Sequence, residues 1–316
     1  MAVTVPPGRQ QERPSDGYFP RASSILRRVH EERLVGLFYG QRALCIGALA
    51  PLNYVGTSEH SYARQTPFKR LVHTGNAFET IYFGSREDAD KVLAYVGKLH
   101  RAVVGRLPQD AGVTPKGTTY SALDPELMLW TVAVIADSAQ FFYELFVGQL
   151  SAQERDALWA EYVRFAELFG MPREAAPASY VEFRAWWRGR LASQEMFLTD
   201  EARYVGYATA FEIPLPVLHQ PAKRIHDLIM LGSLPRRVRE LYRLSYRGRD
   251  EAAFRAAVQA IKTARGVVPG RLTRGWNTGS FERVAKTERW RIAHDRPTPT
   301  VASDGPRTLP RSRYLS

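Results

Sequence analysis

Along the segment Pro67 to Phe83, Arg70, His73, Thr74, Ala77, Phe78 and Ile81 recur at i, i+3, i+4, i+7, i+8 and i+11. At 3.6 residues per turn these positions share one helix face, so three hydrogen-bonding side chains run directly into an apolar stripe. Such a face either buries a polar cluster or lines a cavity, because polar groups are costly to bury unpaired. On the next segment His100 falls between Val96 and Val103, on the same stripe as Leu93, and is expected to point into the core. A buried neutral imidazole beside a helix presenting a second histidine suits a haem iron, for which axial imidazole is a usual ligand. The same residues admit a plainer reading, with His100 a hydrogen-bonded core histidine and His73 and Arg70 in an interhelical ion pair or cap. The side chains by themselves leave both readings open.

The elements that must carry these residues are helical. Ser85-Arg86-Glu87-Asp88 has the form of a capping box, and Ala89, Val92, Leu93, Val96, His100 and Val103 follow at helical spacing, which predicts a helix over about 86–104. Asp124, with Pro125 behind it, opens a longer helix to about Val147 that is apolar nearly all round and therefore central. Ser151 with Glu154 forms another capping box, for a helix that Gly170-Met171-Pro172 ends. Further helices are expected near 179–193, 217–231, 234–245 and 249–265, and only short pieces such as Phe211-Glu212-Ile213 could be strands. No internal repeat or sustained heptad is present. The fold class is all-α: a single helical domain over 21–295, between proline-punctuated, poorly ordered arms at 1–20 and 296–316.

Composition narrows the chemistry. The lone cysteine, Cys45, sits in an apolar run, so intramolecular disulfides, iron–sulfur clusters and cysteine-rich zinc sites are excluded. The first twenty residues lack the apolar region of a secretory signal, and the longest apolar stretch, Leu127 to Ala136, soon meets Asp137, Ser138 and Gln140. A cytoplasmic protein without a transmembrane segment is the expectation. The formal charge of +12 is concentrated at one end: residues 223–316 hold 21 Lys/Arg against 8 Asp/Glu. Arg236, Arg237, Arg239 and Arg243 there interleave with Val238, Leu241 and Tyr242. That pattern suits a solvated helix face and matches no specific nucleic-acid motif.

The ordered run Tyr39-Gly40-Gln41-Arg42-Ala43-Leu44, Ala50-Pro51, Glu59-His60-Ser61 and Arg70-Leu71-Val72-His73-Thr74 resembles the latex clearing protein family, also called the MpaB-like or rubber oxygenase catalytic domain. The resemblance continues through Gly84, Leu99-His100-Arg101-Ala102-Val103, Asp124-Pro125 to Trp130, Asp137-Ser138, Gly148-Gln149-Leu150-Ser151 and Leu234-Pro235-Arg236-Arg237 with Leu241-Tyr242, and so covers roughly 24–245. It implies a globin-like multi-helix bundle enclosing haem b. By position, His100 matches that family's proximal iron ligand, and Arg70 and Thr74 match the arginine and threonine of its distal Arg-x-x-Lys-Thr motif. His73 stands where the rubber oxygenases carry lysine, which makes it a possible sixth ligand of the iron. Ala50 and Val132 replace two histidines common in the family, and Tyr54 stands where the family's proposed catalytic glutamate lies, with Glu59 too far along to substitute.

The resemblance implies a haem b-dependent oxygenase or related oxidase, with O2 opposite His100, Arg70 and Thr74 hydrogen-bonding to it, and a small hydrophobic metabolite as substrate. Rubber itself is disfavoured by the missing glutamate and export signal. A second class is a non-catalytic bis-histidine haem protein, a sensor, carrier or electron-transfer protein closed on both sides by His73 and His100. A third is a helical protein with no cofactor. The sequence specifies neither an electron donor nor an oligomeric state.

Overall fold

In the computed structural model, which describes residues 17–60 and 66–296, helices follow one another with few breaks. In chain order they are α1 (Ile25–Glu31), α2 (Arg33–Gly47), α3 (Pro51–Glu59), α4 (Pro67–Phe83) and α5 (Arg86–Ala102), then α6 (Pro125–Phe146), α7 (Ala152–Leu168), α8 (Tyr180–Ala192) and α9 (Asp200–Phe211). After these come α10 (Gln220–Ser233), α11 (Arg236–Leu241), α12 (Gly248–Val267), α13 (Gly270–Thr273) and α14 (Thr278–Ala293). The architecture is all-α.

Local chemistry sets most of the starts. The Asp124 carboxylate accepts from the backbone N–H groups of Glu126 and Leu127 at the head of α6, with Pro125 in the first turn. Ser151 and Glu154 close the expected capping box on α7, and Ser85 accepts from the Asp88 N–H at the start of α5. Between α5 and α6 an antiparallel pair, β1 (Val104–Arg106) and β2 (Thr119–Ser121), joins Gly105 to Tyr120 in register. The sequence pattern did not predict this hairpin. Phe211, in a short piece that could have been a strand, is instead the last residue of α9.

α6 is the central element. The most extensive helix pairing is α2 against α6, and α9 also packs on α2. Inside the first pairing, Arg42 donates to the Asp137 carboxylate at 2.8 Å, to Ser138 Oγ at 2.9 Å and to the Ser233 carbonyl at 3.0 Å. Arg184 of α8 takes the other oxygen of Asp137. Arg42, Asp137 and Ser138 all belong to the segments that carry the family resemblance, and here they form a buried ionic rivet between core helices.

α4 pairs next most extensively, with α14. The two run antiparallel, and each closes the other's N-terminus. Glu79, near the end of α4, accepts from the Asn277 and Thr278 N–H groups and the Thr278 hydroxyl, while Glu288, near the end of α14, accepts from the Phe68 and Lys69 N–H groups. Both carboxylates are buried. They satisfy N–H groups that neither helix could pair internally, at the end where the helix dipole favours negative charge.

Of the arms expected at 1–20 and 296–316, residues 1–16 and 297–316 lie outside the described residues, as does Ser61. Of Gly17–Pro20, Phe19 is fully buried with its ring 6.1 Å from that of Tyr82, while Pro20 is exposed. Among the described residues no single helix is long and apolar enough to cross a membrane.

Candidate functional site

A cavity of about 230 Å³ lies between α2, α3, α4, α6 and α9. Its walls are mainly apolar and built on small residues: Gly40, Ala43 and Gly47 of α2 and Gly75 of α4 keep the helix backbones close to the open space. Leu71, Phe78, Trp130, Val134 and Ile135 supply the apolar surface. Arg70 and Thr74, one helical turn apart on α4, are the polar residues of that wall, as their shared face predicted. Both are half-buried. A guanidinium and a hydroxyl beside an apolar, partly water-excluded space act on developing negative charge more strongly than they would in water.

The α3 wall adds two polar groups. Asn53 donates to the Leu127 carbonyl at 2.8 Å and to Thr131 Oγ1 at 3.1 Å, while its Oδ1 is buried with no hydrogen-bond partner among the described residues. Buried amide oxygens are rarely left so, and this one provides a spare acceptor. Tyr54, buried, donates its hydroxyl to Glu201 Oε1 at 3.1 Å. Tyr54 occupies the position at which the resemblance leads one to expect a carboxylate, and a carboxylate does reach it, from α9. Tyr39, also at the wall, is fully buried, and desolvation together with the nearby Glu79 charge pushes its hydroxyl well above the usual tyrosine range. It stays protonated at neutral pH.

The two histidines are placed differently. His73 is an exposed residue of α4, and neither it nor His100 is part of the cavity wall. His100 is half-buried near the end of α5, a helix on which only Ala89 is fully buried. Its stripe therefore meets the core along one edge, and the expectation of a core-facing histidine is met only in part. An aromatic series leads from the cavity to it: Phe78 at the wall, Phe165 with its ring 5.1 Å away, Phe169 a further 5.0 Å, and the imidazole 6.0 Å beyond. So the structure brings Arg70 and Thr74 together at one cavity and sets His100 apart from them, behind these rings.

The donor chemistry at His100 suits an axial ligand, although His100 does not line the cavity and the Phe165 and Phe169 rings stand between it and the Arg70–Thr74 wall. Burial lowers its pKa below the usual histidine value, which favours the neutral ligating form, and its Nδ1 is buried with no hydrogen-bond partner among the described residues. A ring nitrogen left without a partner in apolar surroundings is uncommitted to the protein. Among the described residues no group of three or more His, Cys, Asp or Glu could hold a bare metal ion. A haem iron asks for a single axial side chain.

Sequence reasoning missed three contributors: Glu201, which reaches Tyr54 from α9; Asn53; and Phe281 of α14, which also lines the cavity. No local signal marks them, because each acts on a residue far away in the chain.

Comparison with known proteins follows the helical core. The family model described as "ER-bound oxygenase mpaB/B'/Rubber oxygenase, catalytic domain" matches residues 27–263. An uncharacterised protein of Mycobacterium tuberculosis is 23% identical over 209 residues, covering 65% of this chain and 77% of its own length. An uncharacterised protein of Mycobacterium bovis matches to the same extent. No solved structure matches the chain.

Proposed function

Because this chain belongs to the mpaB/rubber oxygenase catalytic-domain family, a family of oxygenases, we propose that it is a haem b-dependent oxygenase acting on a small hydrophobic metabolite. The observation that carries the reading is the apolar cavity with Arg70 and Thr74 side by side on one wall. His100 would hold the iron through its uncommitted imidazole. Bound there, haem supplies the binding and activation of O2.

The chain's own residues do the rest. The cavity walls desolvate an apolar substrate and hold it, each buried methylene contributing about 0.8 kcal/mol. With the Phe165 and Phe169 rings that separate them from His100 displaced by the bound group, Arg70 and Thr74 would donate hydrogen bonds where negative charge builds during oxygen chemistry, both already fixed on one helix. Tyr54 presents its hydroxyl oxygen at the wall while donating to Glu201, so a proton taken from the substrate by that oxygen can be matched by passing the hydroxyl's own proton to Glu201. Asn53 Oδ1 can take a hydrogen bond from a substrate hydroxyl, orienting a molecule that is otherwise apolar.

The exposure of His73 favours this reading over a bis-histidine haem protein, since a tight second axial ligand is expected in a buried position. The test is spectroscopic. Purified protein reconstituted with haem should show one haem per chain and bind CO readily when reduced. His100→Ala should abolish stoichiometric haem while the far-ultraviolet helical signal persists, and full haem retention with an unchanged spectrum in that variant would reject the assignment.

A further inference from the structure

The cavity wall includes a helix that lies outside the family match. The match ends at residue 263, whereas α14 spans Thr278–Ala293, and Phe281 on it is part of the cavity wall. This contact is built into the core helices at two glycines. At Gly75, the residue after Thr74, a Cβ would lie 3.1 Å from the Phe281 ring, so the missing side chain is what lets the ring lie against α4. At Gly36 of α2, another cavity-lining residue, a Cβ would lie 1.9 Å from Asn277 Nδ2 at the head of α14, so a larger residue there would force the buried Asn277 side chain to move. The helix is fixed at its head by Glu79 and near its end by Glu288.

We propose that α14 is the specificity wall of the cavity, with Phe281 setting the length of apolar ligand accepted beside Arg70 and Thr74. The shared core supplies the polar face, and a segment outside that core supplies the boundary. The Phe281 ring packed on Gly75 borders the space one residue from Thr74, so a ligand that extends towards α14 must displace the ring. Replacing Phe281 by a small residue opens space in that wall. A side chain added at Gly75 crowds the ring from the α4 side and occupies space there.

The inference deepens the substrate reading above and rests on the cavity being the substrate site. Its test uses full-length protein and n-alkanols from hexanol to dodecanol as calorimetric probes, the hydroxyl being matched to the spare Asn53 acceptor. In the wild type, affinity should rise about fourfold for each added methylene, the step expected for burying one CH2, and then level off at a limiting length. In Phe281→Ala the fourfold steps should continue for at least two more carbons. In Gly75→Ala they should stop at the same length or a shorter one. Phe281→Leu, which keeps most of the packing between α4 and α14, should fall between wild type and Phe281→Ala and serves if the alanine variant does not fold. An unchanged limit in the Phe281 variants would overturn the role of α14 while leaving the cavity as the substrate site. Absence of alkanol binding to the wild type would overturn both. Neither result bears on haem at His100, which is read separately from the absorption spectrum.

Discussion

Neutralising Asp137 tests whether the α2–α6 core is held by a buried ionic rivet. The Asp137 side chain is 8% exposed and that of Arg42 3%. Asp137→Asn keeps the shape and removes the charge. The guanidinium of Arg42 cannot shed its proton, so the variant retains a buried cation whose partners are all neutral, among them the Ser138 hydroxyl and the Ser233 carbonyl. Breaking a buried pair from one side costs about 3–5 kcal/mol, a large share of the roughly 5–15 kcal/mol that holds a typical domain folded. Arg42→Met leaves Asp137 with Arg184, whose side chain is 35% exposed, so its carboxylate keeps a counter-charge near solvent and the loss should be smaller. The double variant, Arg42→Met with Asp137→Asn, removes the stranded cation and should be more stable than Asp137→Asn alone. Urea unfolding followed by far-ultraviolet circular dichroism gives the three differences, provided the m-values agree. A loss under about 1 kcal/mol for Asp137→Asn is the range of a surface ion pair, and it would refute the rivet. If Asp137→Asn does not fold, a folded double variant makes the same point.

Two further outcomes are expected. Full burial brings His30 from 6.5 to about 3, with its Nε2 2.8 Å from the Tyr162 hydroxyl; the folded state therefore binds fewer protons than the unfolded chain between those values. This contribution to stability is whole above pH 6.5 and is lost as pH falls towards 3, by about 5 kcal/mol at 1.36 kcal/mol per unit. Urea unfolding of wild type and His30→Phe at several pH values should show a flatter pH dependence in the variant, and parallel curves would remove His30 from acid unfolding. Arg70→Ala should keep most of its haem yet change the rate at which the reduced protein is oxidised in air, by up to the roughly 10²–10³-fold effect of losing one preorganised donor. Haem loss with no change in that rate would make Arg70 a structural residue instead.

What the sequence determined is what local chemistry can encode. Asp124 with Pro125, Ser85 and Ser151 with Glu154 each cap a helix within three residues of themselves, and α6, α5 and α7 begin where those signals fall. The period of apolar positions made the fold all-α, and the shared face of Arg70 and Thr74 placed both on one wall. Ordered motifs identified the family, although Arg42 and Asp137 proved to bind helices together. The same local periodicity promised a core position for His100 and a common face for His73, and there tertiary packing decided: α5 is covered along one edge, leaving His100 half-buried, and His73 is exposed. Burial depends on what lies against a face, which the spacing along one helix does not contain. The remaining parts of the site join residues 147 positions apart at Tyr54 and Glu201, 198 at Glu79 and Asn277, and 220 at Phe68 and Glu288. Each is a carboxylate reaching a donor on a distant segment, and only the folded chain decides which donor it meets.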